Sequence, residues 1–215
     1  MKKRFIQRWH SQVGYLLLLF LILSGTTLAQ KAETRVDKNS YTSSIPQTGQ
    51  TNSWSAGDDG NLQRGINWPV PRFSDNQDGT VMDNLTDLIW LKDADCFNHQ
   101  TWSGSLVAAS TLKSGDCGLS DGSKEGEWRL PNILELESLR DINYSLPALS
   151  DTKGNGKWSD GKPFEKVRSS YYWSSSTNAG STNYAWYLHL GSGSVFSSAK
   201  SDNCCLVWPV RGGSR

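Results

Sequence analysis

Few residues in this 215-residue chain are spaced for covalent chemistry. Beyond the N-terminal leader described below, the histidines are His99 and His189, there is no Gly-x-Ser-x-Gly elbow, and no serine carries a local sign of activation. His189 falls in an alternating strand pattern and reads as a structural or surface residue. Cys204 and Cys205 are adjacent. Neighbours in a strand point to opposite faces, so a vicinal disulfide would demand a strained turn, and one buried and one exposed thiol is the expectation. A metal-site reading lacks the second, spaced pair of ligands. Asp75-Asn76-Gln77-Asp78-Gly79 collects oxygen ligands at short spacing, as calcium loops do. However, Asp-Gly between Phe73 and Thr80-Val81-Met82 is a hairpin signal, and an EF-hand would need a Glu at its twelfth position. The hairpin is preferred; no catalytic residue, metal or cofactor is expected.

Binding chemistry is better represented. Residues 174–203 are rich in Ser, Asn, Thr, Tyr and Gly, a mixture in which small polar groups adapt and Tyr supplies contact area at low entropy cost. The candidate contacts are Asn178, Asn183, Tyr184, Ser194, Phe196, Ser198, Asp202 and Asn203. The competing reading is that these are ordinary polar loops and the outer face of a sheet. Lys153, Lys157 and Lys162, with Lys166 and Arg168 nearby, form a basic loop that could meet an anionic ligand in a salt-sensitive way, though Asp151, Asp160 and Glu165 dilute it. Of the tryptophans, Trp90, Trp102, Trp128, Trp173 and Trp208 are expected in the core, whereas Trp54 and Trp158 lie in polar stretches and are the surface candidates.

These residues need a scaffold, and the chain encodes one. Leu130 precedes Pro131 and is pushed out of the helical region, Asn132 is a good N-cap, and Glu135 completes a capping box. Ile133, Leu136, Leu139 and Ile142 then recur at helical spacing, which predicts a helix from 132 to about 142 with one apolar face. Thr101 can cap an earlier helix, 102 to about 113, in which Trp102, Leu106 and Ala109 share a face and Gly115 lies near the end. Leu88-Ile89-Trp90-Leu91 reads as a buried strand. Near the C-terminus, Trp186, Leu188 and Leu190 alternate toward a core, Gly191-Ser192-Gly193-Ser194 turns the chain, and Val195–Ser198 and Leu206–Trp208 run back, predicting a short antiparallel sheet.

Three motifs in order, Gly126-Glu127-Trp128-Arg129-Leu130-Pro131-Asn132, Tyr171-Tyr172-Trp173-Ser174-Ser175-Ser176 and Val207-Trp208-Pro209-Val210-Arg211-Gly212-Gly213, resemble the Lcl C-terminal domain family, a bacterial domain that closes certain collagen-like adhesins. The resemblance extends to Pro46-Gln47-Thr48-Gly49-Gln50, Phe73–Val81, Asp83-Asn84-Leu85-Thr86 and Trp90-Leu91-Lys92-Asp93-Ala94. It implies an α+β, C-type-lectin-like fold with two helices packed on short antiparallel sheets, distant kin of formylglycine-generating enzymes. It also implies a ligand face in the C-terminal segment, and sulfated polysaccharides as a ligand class that the lysines could meet. Relatives often carry a cysteine pair in the region where this chain has Thr51-Asn52-Ser53-Trp54. The enzymes' cysteine arrangement does not match Cys204-Cys205, and neither Glu-Pro-Asn, Gln-Pro-Asp nor Trp-Asn-Asp, the calcium-dependent sugar motifs of lectins, occurs.

Residues 1–29 read as a secretory signal: Lys2, Lys3, Arg4 and Arg8, an apolar run from Val13 to Leu23, then Thr27-Leu28-Ala29 as a cleavage site. The apolar run is shorter than the roughly 20 residues of a spanning helix, so membrane attachment would come only through an uncleaved leader. Cleavage removes four of 22 basic residues and none of 21 acidic ones, leaving a mildly acidic chain and excluding the basic field that nucleic acid requires. In an exported chain the four cysteines allow three pairings; Cys96 and Cys117 bracket a helix-sized segment and are the expected disulfide. The organisation expected is leader (1–29), polar linker (30–44), N-terminal extension (45–72) and lectin-like domain (73–213). The function expected is an exported binding module, periplasmic, surface-bound or secreted, recognising an extracellular glycan, sulfated or not, or a surface protein; the alternative is a structural envelope component without a discrete ligand, and an oxidase-type enzyme is the least favoured reading.

Overall fold

Phe73 opens the first strand, and the chain reverses at once. The computed structural model describes residues 44–213, so the leader and all but the last residue of the linker lie outside the described residues. Strands β1 (Phe73–Asp75) and β2 (Thr80–Asp83) form the hairpin read from Asp78-Gly79. The Asp78 carboxylate accepts from the Thr80 backbone N–H (3.0 Å) and hydroxyl (2.6 Å). Gly79 takes φ +84°, and a Cβ there would lie 2.4 Å from the Gly118 carbonyl oxygen, so both conformation and space require glycine. Strand β3 (Leu88–Leu91) pairs with β2, and β9 (Val210–Gly212) pairs with β3, giving a four-stranded antiparallel sheet in the order β1-β2-β3-β9.

The second sheet holds five strands: β4 (Phe97–Gln100), β5 (Tyr171–Thr177), β6 (Tyr184–His189), β7 (Ser194–Ala199) and β8 (Cys205–Val207), in the order β4-β8-β5-β6-β7. This sheet is mixed, which corrects the expectation of wholly antiparallel sheets. After β7 the chain crosses to the far side of β5 and pairs with it in parallel, Tyr172 opposite Leu206, while every other pairing stays antiparallel.

Alternation along these strands sorts their side chains into two buried clusters. Tyr172, Leu188 and Leu206 face the first sheet and join Phe73, Trp90, Phe164 and Trp208 in the main core. Trp208 is its hub. Its ring lies edge-on to Trp90 (5.7 Å) and Phe164 (4.9 Å), and its indole N–H donates to the Leu91 carbonyl at 2.8 Å. Edge-to-face pairs of this kind contribute about 0.5–1.5 kcal/mol each beyond burial. Trp173, Ala185, Cys205 and Val207 face the other way and meet Ala109 and Leu130 in a smaller cluster.

Among the described residues three helices complete the fold: α1 (Asp59–Leu62), α2 (Trp102–Thr111) and α3 (Ile133–Ser138). Helix α2 is capped by Thr101, as its sequence implies, but ends at Thr111 on an extended Leu112 rather than near Gly115. It covers the β4, β8 and β5 part of the sheet's second face. Helix α3 has the expected capping box from Asn132 and Glu135 and buries Leu136 and Leu139. It stops at Ser138, short of the expected 142. Asp141 leaves the helical pattern to donate its N–H to the Ala148 carbonyl, and Ile142, 43% exposed, donates to Thr48 of the extension instead of packing inward.

Cys96 and Cys117 are disulfide-bonded with Cα atoms 5.7 Å apart, as their bracketing of α2 suggests. Residues 45–72 fold back on themselves and are tied to the end of β2: the Trp68 indole donates to the Gln47 carbonyl (2.7 Å), and Arg72 stacks over Trp68 and forks onto Asp83. Trp158 is corrected from surface candidate to core neighbour. It packs against the main cluster and donates to the Phe164 carbonyl (3.2 Å), whereas Trp54 is 86% exposed.

Candidate binding face

Helix α2 covers only half of the second face of the five-stranded sheet. The other half carries the residues that alternation turns away from the main core: Tyr171 on β5, Tyr187 and His189 on β6, and Ser194, Phe196 and Ser198 on β7. Tyr171 stands opposite His189, and Tyr187 is flanked by Trp173 and Phe196. Ring centroids run Tyr171–His189 4.7 Å, Tyr171–Tyr187 5.2 Å and Tyr187–Phe196 6.0 Å. The result is a continuous strip of rings across three strands. Tyr171 (40%) and Phe196 (50%) are open to solvent, while the backs of the same strands are fixed by Tyr172, Leu188 and Val195 against the main core.

Polar groups fringe the strip. The His189 Nδ1 shares a hydrogen bond with the Ser192 hydroxyl (2.8 Å), which donates to Ser194 (3.0 Å), and the Ser198 hydroxyl donates to Asp202 (2.6 Å). Lys200 closes the edge toward α2: its ammonium lies 4.0 Å above the Trp102 ring and donates to Thr177 (2.8 Å). Partial burial pushes the Tyr187 phenol above its usual range, with Cys205, Tyr171 and Cys204 adding to the effect, so Tyr187 stays a neutral hydrogen-bonding group through physiological pH. The arrangement can stack a flat apolar surface and exchange hydrogen bonds around it.

The structure divides the residues singled out by sequence. Ser194, Phe196 and Ser198 share the strip, and Asp202 borders it. Asn178 does not: its amide donates to Ser197 (3.1 Å) and its carbonyl oxygen accepts from Gly180 (2.9 Å), so it holds the β5–β6 turn on the opposite side of the sheet. Tyr184 opens β6 with the alternation of that same opposite side and is 41% exposed. Asn183 is exposed and accepts from the Lys200 backbone; Asn203 is exposed in the loop before β8.

Lys153, Lys157 and Lys162 belong to a different surface. Lys153 lines a recess with Gln47, Trp68 and Asn155 against the N-terminal extension. Among the described residues no hydrogen bond, ion pair or ring contact joins these lysines to the strip. Their basic neighbours are already paired, Lys166 with Asp93 (2.6 Å) and Arg168 with Asp95 (2.8 Å). A shallow recess of about 560 Å³ between α2 and the Leu130-Pro131-Asn132 turn is walled by Leu106 and Val107; the Arg129 at its edge is committed to both oxygens of Glu135 at 2.7 Å.

Sequence reasoning did not single out Tyr171, Tyr187 and Ser192 and set His189 aside as structural or surface. The signal was nevertheless present. Placing Leu188 and Leu190 inward assigns Tyr187 and His189 to the opposite face by the two-residue period of a strand. Only the pairing of β5 with β6 could add Tyr171. The sequence model of the Lcl C-terminal domain matches residues 79–211, a span that includes every residue of the strip. No curated protein matches the chain.

Proposed function

The chain belongs to the Lcl C-terminal domain family, and on that premise we propose that it is an exported bacterial binding module that recognises a glycan on the outer strip of its five-stranded sheet. The observation that carries this reading is the side-by-side exposure of Tyr171, Tyr187 and Phe196 on strands anchored from behind. Sugar rings present apolar C–H faces bordered by hydroxyls, and a rigid aromatic strip bordered by Ser194, Ser198, Asp202 and His189 matches both features. Preformed stacking surfaces limit the ordering cost of binding. The arrangement of two sheets with α2 and α3 supports the C-type-lectin-like reading of the fold.

The lysine loop is a second, separable surface for sulfated glycans. The test is a glycan array probed with residues 30–215 at low and high salt, with and without a chelator. Binding that resists both salt and chelator, and that disappears in Phe196→Ala, is expected. Binding that salt abolishes and that is lost on replacing Lys153, Lys157 and Lys162 would move the site to the loop, and a blank array would overturn the glycan reading.

A further inference from the structure

The Sγ atoms of Cys204 and Cys205 approach to 2.6 Å. That is only about 0.5 Å longer than a disulfide bond of about 2.05 Å. Two adjacent residues of one strand could not do this, because their side chains point to opposite faces. Here β8 begins at Cys205, and Cys204 belongs to the loop before it, so the backbone is free to turn both sulfurs to one side. The same chain holds Cys96 and Cys117 as a disulfide, so it matures where thiols are oxidised. From these observations we propose that Cys204 and Cys205 are a modification site, closed in the mature protein into a vicinal disulfide.

The reaction follows from the two exposures. Cys204 is half-buried and reachable; Cys205 is fully buried. The Cys204 thiolate attacks one sulfur of a disulfide oxidant, a protein or small-molecule disulfide, forming a mixed disulfide and releasing one thiol. Cys205 then gives up its proton and displaces the second thiol, closing the ring. One S–S bond is broken and one formed, and the two protons and two electrons lost by the cysteines leave with the two thiols of the reduced oxidant. Burial, aided by Cys204, pushes the Cys205 thiol far above its usual range, which disfavours a standing dithiolate that would hold a soft metal. Among the described residues no group of three or more His, Cys, Asp or Glu side chains is placed to hold a metal ion. The ring would sit in the small cluster beside Trp102 and Tyr187, stiffening the chain where it enters β8.

The test is mass mapping of the full chain, exported to an oxidising compartment, purified without reductant, and denatured in iodoacetamide. The peptide spanning both cysteines is expected two hydrogens light and free of alkylation, becoming doubly alkylated only after reduction. Cys96→Ser with Cys117→Ser is expected to leave that peptide unchanged, and mapping of the unsubstituted chain decides the matter if the double variant fails to fold. Alkylation of both cysteines before reduction, a link from either to Cys96 or Cys117, or a link to a second chain would overturn the proposal.

Discussion

Tyr187 stands directly across from Phe196 in the register of β6 and β7, with ring centroids 6.0 Å apart, and it is the half-covered Tyr187 that supports the exposed Phe196. Phe196 is half exposed, so its removal leaves the buried clusters untouched. Phe196→Ala and Tyr171→Ala are each expected to weaken binding to an array-positive glycan by about 1–2 kcal/mol, roughly a ten-fold rise in Kd, with little loss of stability. Isothermal titration alongside thermal melts checks both halves; unchanged affinity in both variants would remove the strip from the site.

The fully buried Arg72 donates to both oxygens of Asp83, from Nε at 3.0 Å and Nη2 at 2.8 Å, and also to the Ser138 carbonyl at 2.9 Å. It ties the extension, β2 and α3 together. Removing one partner of a buried pair leaves an uncompensated charge, at a cost of about 3–5 kcal/mol. Asp83→Ala is expected to lose stability of that order in urea unfolding; a loss comparable to a surface substitution would show that water relieves the stranded guanidinium.

Asp141 is 1% exposed and lies beneath the extension. Burial raises its carboxyl from 3.8 to about 6, opposed by the Asn143 N–H and the charge of Arg72 and aided by Asp151. The folded state therefore holds the proton more tightly than the unfolded chain, so this group's contribution to stability falls as pH rises from about 4 to about 6 and stays low above that. The shift corresponds to about 2–3 kcal/mol. Asp141→Asn is expected to be more stable than the unsubstituted protein at pH 8 and to lose that advantage near pH 4. Unfolding free energies at both pH values measure the difference; a pH-independent difference would place the cause elsewhere.

Asn132 accepts from the Glu135 N–H (2.9 Å), while the Glu135 carboxylate accepts from the Asn132 N–H (2.7 Å). Asn132→Ala removes one half of this box at the start of a helix of only six residues. A loss of about 1 kcal/mol, seen as a fall in Tm of roughly 2–4 °C, is expected. No change in Tm would mean that the two Arg129 bonds to Glu135 suffice to hold the helix start.

Local chemistry was legible in the sequence because its causes are local. A residue before proline, a cap three residues from a glutamate, and Asp-Gly between apolar runs act within a few positions, and the α3 start and the β1–β2 hairpin formed as read. The end of α3 was not legible. Its periodicity continues to Ile142, but backbone partners on Ala148 and Thr48, brought in from distant segments, end the helix first. Trp158 was misread for the same reason: its neighbours in sequence are polar, whereas its neighbours in space are Phe164 and the main core.

The sequence by itself determined the family, the Cys96–Cys117 pairing, and the inward and outward sides of single strands, since a period of two depends only on the backbone. Tertiary structure alone decided which outward residues share a surface. The crossing of β8 to pair in parallel with β5 puts α2 over one half of the sheet and leaves the other half open. Strand order is set by which sheet edges the returning chain can reach, a long-range condition that no local window carries. That condition joined Tyr171 to Phe196, turned Asn178 to the far side, and left the lysines on another surface.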